Sequence, residues 1–184
     1  ELVSLLGVSG GGKTTLFNVI SGLEKPETGH VYLDGREITG CPGNVSYMLQ
    51  KDMLLPYRTI EDNVALPLLI KGEKKKAARE KVQPYFQEFG LEGTQKKYPA
   101  QLSGGMRQRA ALLRTYLFSR KLALLDEPFS ALDTLTKSAM HRWYLQVMEQ
   151  IHLSTIFITH DMDEAILLSD RIYLLTGRPG RITE

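Results

Sequence analysis

The sequence predicts an α/β fold: a mostly parallel sheet with helices on its faces, a helical insertion and a small antiparallel β element. Three observations carry that reading. Short apolar runs recur at 1–6, 29–33, 45–49, 122–125, 155–159 and 171–175, and helix-period patterns lie between several of them. Residues 73–119 contain no run of strand type. Asp34-Gly35, between Tyr-Leu and Arg-Glu-Ile, is a hairpin turn signal.

Each element follows from its residues. LVSLLG is short, apolar and closed by Gly7, as suits a strand buried on both faces. After Lys13, the residues Leu16, Val19, Ile20 and Leu23 fall at helical spacing, with Gly22 placed to end the helix. The charged start of the insertion, Glu73 to Lys76, reads as a solvated helix face, and Pro84 should break or kink the helix around it. A later helix carries Met140, Trp143, Val147 and Ile151. Another opens with Asp161 and Glu164 in capping-box spacing and should bury Ala165, Ile166 and Leu168. The chain starts at Glu1 on what reads as a central strand and ends on ITE, so it is expected to be a fragment, incomplete at both ends, of one domain.

Composition bounds the function. The chain has 184 residues, a formal net charge of +2, 42 % hydrophobic and 24 % charged residues, which excludes a disordered or fibrous chain. Near-balanced charge argues against a nucleic-acid partner. A single cysteine, Cys41, excludes an intrachain disulfide and fits a reducing compartment. No apolar run approaches the ~18 residues that span a bilayer.

GVSGGGKTT, Gly7 to Thr15, fits G-x-x-x-x-G-K-S/T between a buried strand and an amphipathic helix. Gly7, Ser9, Gly10, Gly11 and Gly12 let backbone N–H groups curl round a β-phosphate at a helix N-terminus. Lys13 would reach the β- and γ-phosphates and the Thr14 hydroxyl would ligate Mg²⁺. Thr15 can cap the helix or touch the α-phosphate. Residue usage alone gives such a pattern in roughly 1 % of chains this long, and its strand–loop–helix setting lowers that further. The loop therefore points to ATP or another nucleoside triphosphate.

LALLDEP, 122–128, places Asp126 and Glu127 at the carboxyl end of an apolar strand, the edge where α/β sheets hold ligands. Asp126 there can hold Mg²⁺ through water. Glu127 can orient or deprotonate the attacking water. LSGGM, 102–106, puts Ser103, Gly104 and Gly105 at a second helix N-terminus, a spare anion site that one protomer does not need for its own ATP.

With these motifs the sequence resembles the ATP-binding cassette family, the nucleotide-binding subunits of ABC transporters, over essentially the whole chain. The motifs run in order: Walker A at 7–15, Q-loop Gln50, signature LSGGM, Walker B with Glu127, D-loop SALD at 130–133, and the switch histidine His160 in ITHD. The resemblance implies a P-loop NTPase of cassette fold with a helical subdomain at about 73–119, acting as a Mg²⁺-dependent ATPase. It implies two cassettes packed head to tail, with Ser103, Gly104 and Gly105 binding the γ-phosphate in trans and Asp133 linking the two sites. Gln50 would contact Mg²⁺ or the water and sense the membrane partner. His160 would contact the γ-phosphate and hold the active geometry with Glu127. His160 ends strand IFIT on the sheet edge that carries Asp126; His30, His141 and His152 read as surface histidines.

Two departures stand out. Glu1–Leu6 holds no aromatic to stack on adenine, and Gly11 stands where family members often carry Ser. LQKDMLLPYRTIEDNVALPL (49–68) and LLTGRPGRI (174–182) are similar to segments of nitrate/sulfonate/taurine importers. That resemblance implies an ATPase that powers uptake of a small anion or sulfonate through two permease subunits, indirectly served by an extracytoplasmic solute-binding protein, at the cytoplasmic face of the membrane. Met53, Leu54, Leu55 and Tyr57 are either core or the surface that receives the permease. Soluble members of the family usually carry long coiled-coil insertions or two cassettes per chain, and this chain has neither.

Overall fold

The computed structural model describes residues 1–119, 121–177 and 180–183. Arg178 and Pro179 of the LLTGRPGRI segment lie outside the described residues. A six-stranded sheet runs in the order β4 (Ser46–Met48), β5 (Leu122–Asp126), β6 (Ser154–Thr159), β1 (Leu2–Gly7), β7 (Arg171–Thr176), β8 (Arg181–Thr183). The first five strands are parallel and β8 is antiparallel on β7. The opening apolar run is thus a central strand, paired on both edges. β2 (Tyr32–Leu33) and β3 (Arg36–Glu37) form the expected hairpin. Its turn residues Asp34 and Gly35 have φ of 51° and 76°, the double positive of a type I′ turn.

Alternate residues of the central strands feed two apolar layers, because successive side chains of a strand point to opposite faces. Leu124 and Ile158 face one layer with Phe17 of α1 (Lys13–Ser21). Leu125 and Phe157 face the other. That second layer holds α4 (Lys75–Glu88), α5 (Gly104–Phe118) and α6 (Thr134–Ile151). In α1 the buried apolar residue is Phe17; Leu23 lies past the terminal Gly22 and is exposed.

Residues 73–119 carry no strand among the described residues, but the helices begin earlier, with α2 (Ile60–Val64) and α3 (Leu66–Ile70). Thr59 caps α2 by accepting from the Asp62 N–H, and the Asn63 amide donates to the carbonyls of Leu55, Arg58 and Thr59. Two sequence expectations are corrected here. α4 runs through Pro84 without a break. Pro84 sits on the exposed face, so water can satisfy the Glu80 carbonyl that its missing N–H leaves free. In α7 (Met162–Leu168), Ala165 and Leu168 are buried as expected, but Ile166 points outward and is exposed, because no described element covers that side of a seven-residue helix.

Candidate nucleotide site

The sheet order brings the site together. β4, β5, β6 and β1 are consecutive neighbours, and their carboxyl ends lead to Gln50, to Asp126 and Glu127, to His160, and to the glycine loop. Four segments far apart in sequence therefore share one sheet edge.

The loop turns sharply at Gly10 (φ 75°) and Gly12 (φ 93°), and the Gly11 N–H donates to the Val8 carbonyl. Lys13 is buried and its Nζ donates to the carbonyls of Gly7 (2.8 Å) and Val8 (2.9 Å), which hold the ammonium over the loop. Ser9 and Thr15 are exposed on the loop and the first turn of α1. The Thr14 hydroxyl donates to Asp126 Oδ2 at 3.0 Å. Burial raises the Asp126 carboxyl above its usual range and the neighbouring Glu127 adds to this, against the pull of Thr14 and Lys13.

Glu127 has a left-handed backbone (φ 46°), a strained conformation for a non-glycine residue. Its carboxylate is flanked on both oxygens. The Gln50 amide donates to Oε2 at 3.2 Å, and His160 Nδ1 lies 3.2 Å from Oε1. An acidic oxygen pair held between an amide and an imidazole can orient a water and accept its proton.

Ser103, Gly104, Gly105 and Asp133 form a separate cluster. Ser103 caps α5 by accepting from the Met106 N–H, and Asp133 caps α6 by accepting from the Thr136 N–H; the Thr136 hydroxyl first and then its N–H hold the Asp133 carboxyl below the usual range. The two helix starts abut: a Cβ on Gly105 would stand 3.3 Å from Cγ2 of Thr136. A cleft of about 720 Å³ lies between this cluster and the Glu127 edge, lined by Gln50, Asp52, Gly104, Arg107, Glu127 and His160.

Several contributors were given no role by the sequence. Ser130 Oγ donates to the Glu127 carbonyl at 2.9 Å. Tyr47 lies on β4, with its hydroxyl pushed up to about 12 by burial and then by the charge of Asp126. Arg107 pairs with Asp52, and Arg114 donates to the backbone carbonyls of Asp52 and Met53, fastening the Gln50 loop to α5. Two arginines about two helical turns apart were the available signal for Arg107 and Arg114, but nothing local says what they bind. Leu54 is core, whereas Met53, Leu55 and Tyr57 face outward, Tyr57 at 94 % exposure. His141 is a correction: it is buried against Phe129, while His30 and His152 are exposed as expected.

Comparison with known proteins fits this geometry. Residues 1–130 match the family model described as ABC transporter. The chain is 48 % identical over 179 residues to the formylaminopyrimidine import ATP-binding protein ThiZ of Halalkalibacterium halodurans, covering 97 % of this chain and 70 % of that one. It is 40 % identical over 182 residues to the aliphatic sulfonates import ATP-binding protein SsuB of Bacillus cereus, covering 99 % and 71 %. A solved dimeric ATP-binding cassette in a post-hydrolysis state with ADP and Pi superposes with a TM-score of 0.78 at 30 % identity, covering 96 % of this chain and 81 % of that chain. With its glycine loop, acidic strand end, glutamine and histidine on four adjacent strand ends, this chain belongs to the ABC transporter family as an ATP-binding domain.

Proposed function

We propose that this chain is the ATP-hydrolysing subunit of an importer of the nitrate/sulfonate/taurine type, powering uptake of a small anion or sulfonate through a separate permease. The name of the ThiZ relative widens that solute class to a small polar organic molecule. The observation that carries the catalytic part is the Glu127 carboxylate, held at 3.2 Å by Gln50 on one oxygen and at 3.2 Å by His160 on the other.

In this reading the loop N–H groups from Ser9 to Thr15 cradle the β-phosphate, and Lys13 turns from the Gly7 and Val8 carbonyls to the β- and γ-phosphate oxygens. The Thr14 hydroxyl and the Asp126 carboxylate, 3.0 Å apart, are hard oxygen donors that fit Mg²⁺, a cation that takes few protein ligands and completes its shell with water and phosphate. Gln50, whose amide already reaches Glu127 on the same edge, would join them. When bound, Mg²⁺ would neutralise charge on the β- and γ-phosphate oxygens. Glu127 takes a proton from the attacking water while Gln50 and His160 fix its two oxygens. Ser103, Gly104, Gly105 and Asp133, apart from that edge in one chain, act on the γ-phosphate held by a second copy packed head to tail.

No described helix is long and apolar enough to cross a membrane. The outward Met53, Leu55 and Tyr57, just after Gln50, support attachment at the cytoplasmic face through the permease. The test is phosphate release by the purified chain with Mg·ATP. Glu127→Gln is expected to lower the rate by about 10²–10⁴-fold, the usual worth of a general base; a parent-like rate overturns the assignment.

A further inference from the structure

Both catalytic segments are buttressed by one face of α6, the face that carries Lys137, His141 and Tyr144. Glu127 leads through Pro128 into Phe129, which is 3 % exposed, and the Phe129 ring meets the His141 ring edge-on with centroids 4.9 Å apart. Because Glu127 holds a left-handed backbone, its carboxylate stays in place only if the segment after it is fixed. The Phe129 ring, clasped by His141 and by Tyr144 at 5.5 Å, supplies that anchor.

The same imidazole faces the other catalytic segment. His141 Nε2 stands 3.5 Å from Glu164 Oε1, and both atoms are buried with no closer hydrogen-bond partner. Glu164 Oε2 accepts from the Thr159 hydroxyl at 2.8 Å, and the Asp161 N–H donates to that hydroxyl oxygen at 3.0 Å. Thr159 and Asp161 bracket His160. Lys137, one turn before His141 on α6, completes the cluster with Asp161 (2.6 Å) and Glu164 (3.3 Å). A ring that meets Phe129 edge-on and Glu164 with its nitrogen links the segments that carry Glu127 and His160, whose 3.2 Å contact forms the catalytic pair.

We propose that His141 is a positioning residue for ATP hydrolysis, setting Glu127 through Phe129 and His160 through Glu164 and Thr159. This rests on the reading of Glu127 as the general base. Leucine lacks the nitrogen but nearly fills the same space, while glutamine keeps a donor for Glu164. A displacement of the catalytic carboxylate by about 1 Å can cost ~10²-fold in rate without touching substrate affinity.

The experiment compares the parent, His141→Leu, His141→Gln and Glu127→Gln chains in Mg·ATP hydrolysis, with a thermal melt for each. H141L is expected to lower kcat roughly tenfold with KM within about twofold, and H141Q to recover to within about threefold of the parent. In the E127Q background H141L should cost clearly less than in the parent, because the carboxylate set through Phe129 is gone and only the His160 route remains. Parent-like kcat in folded H141L, beside a depressed E127Q, overturns this proposal alone. An equal loss in both backgrounds, with no rescue by H141Q, assigns His141 to packing only and also overturns it. A parent-like rate in E127Q overturns both this proposal and the general-base reading. Should H141L not fold, Phe129→Leu takes its place, with the same tenfold fall in kcat expected and an unchanged kcat contradicting it.

Discussion

The hydroxyl of Thr14 donates to Oδ2 of Asp126 at 3.0 Å, joining residues 112 positions apart in the chain. One lies on the first turn of α1 and the other at the end of β5, with β6 lying between β5 and β1 in the sheet. The contact shows that the phosphate loop and the acidic strand end form one site.

Lys13 is the cation of that site. Lys13→Ala removes a charge-assisted contact worth about 1.5–3 kcal/mol, so ATP affinity should fall roughly 10–100-fold. Titration with a fluorescent ATP analogue checks this; unchanged affinity would separate Lys13 from the nucleotide.

Gly7 closes β1 where it approaches β7. A Cβ there would stand 2.7 Å from the Leu175 carbonyl oxygen, and a backbone atom cannot move aside cheaply. Gly7→Ala should therefore cost about 1–3 kcal/mol, or roughly 2–12 °C in Tm for a chain of this size. A melt at the parent temperature would contradict this packing of β1 on β7.

Much of this was legible because its chemistry is local. The glycine loop, the Asp34-Gly35 turn, the Gly22 stop and the Asp161 cap each announce themselves within a few residues, and apolar runs mark the central strands. Sheet order then does the rest, since it decides which strand ends are neighbours. What stayed hidden depends on distant partners. His141 reads as a surface residue until Phe129 and Glu164 are packed on it. Ile166 sits at a buried-looking helical position, yet no described element covers it. Pro84 is tolerated only because its side of α4 faces water. The start of α2 rests on the Thr59 cap and on Asn63, whose amide ties back to the Leu55 carbonyl, a partner eight residues away.

Acid should destabilise the fold in two stages. Burial lowers the His141 pKa from its ordinary value, so its neutral form contributes stability that is complete above about pH 6.5 and is lost as pH falls through the lower folded value. Further down, the Arg79 fork holds the Asp62 carboxyl below its usual range, and Lys137 does the same for Asp161. Their contributions are complete above about pH 4 and fade below it. Melting temperatures measured from pH 8 to pH 3 should fall in both windows, and H141Q should flatten the upper one. A parent profile that is level from pH 7 to pH 5 would contradict the buried neutral imidazole.

The central claim is that two copies close over ATP, each giving its Ser103–Gly105 motif to the other. Light scattering on the Glu127→Gln chain, with and without Mg·ATP, tests it most directly, because the slowed hydrolysis holds the closed state. The account predicts a monomer without nucleotide and a dimer with it. A folded protein that binds ATP and remains a monomer would contradict the account.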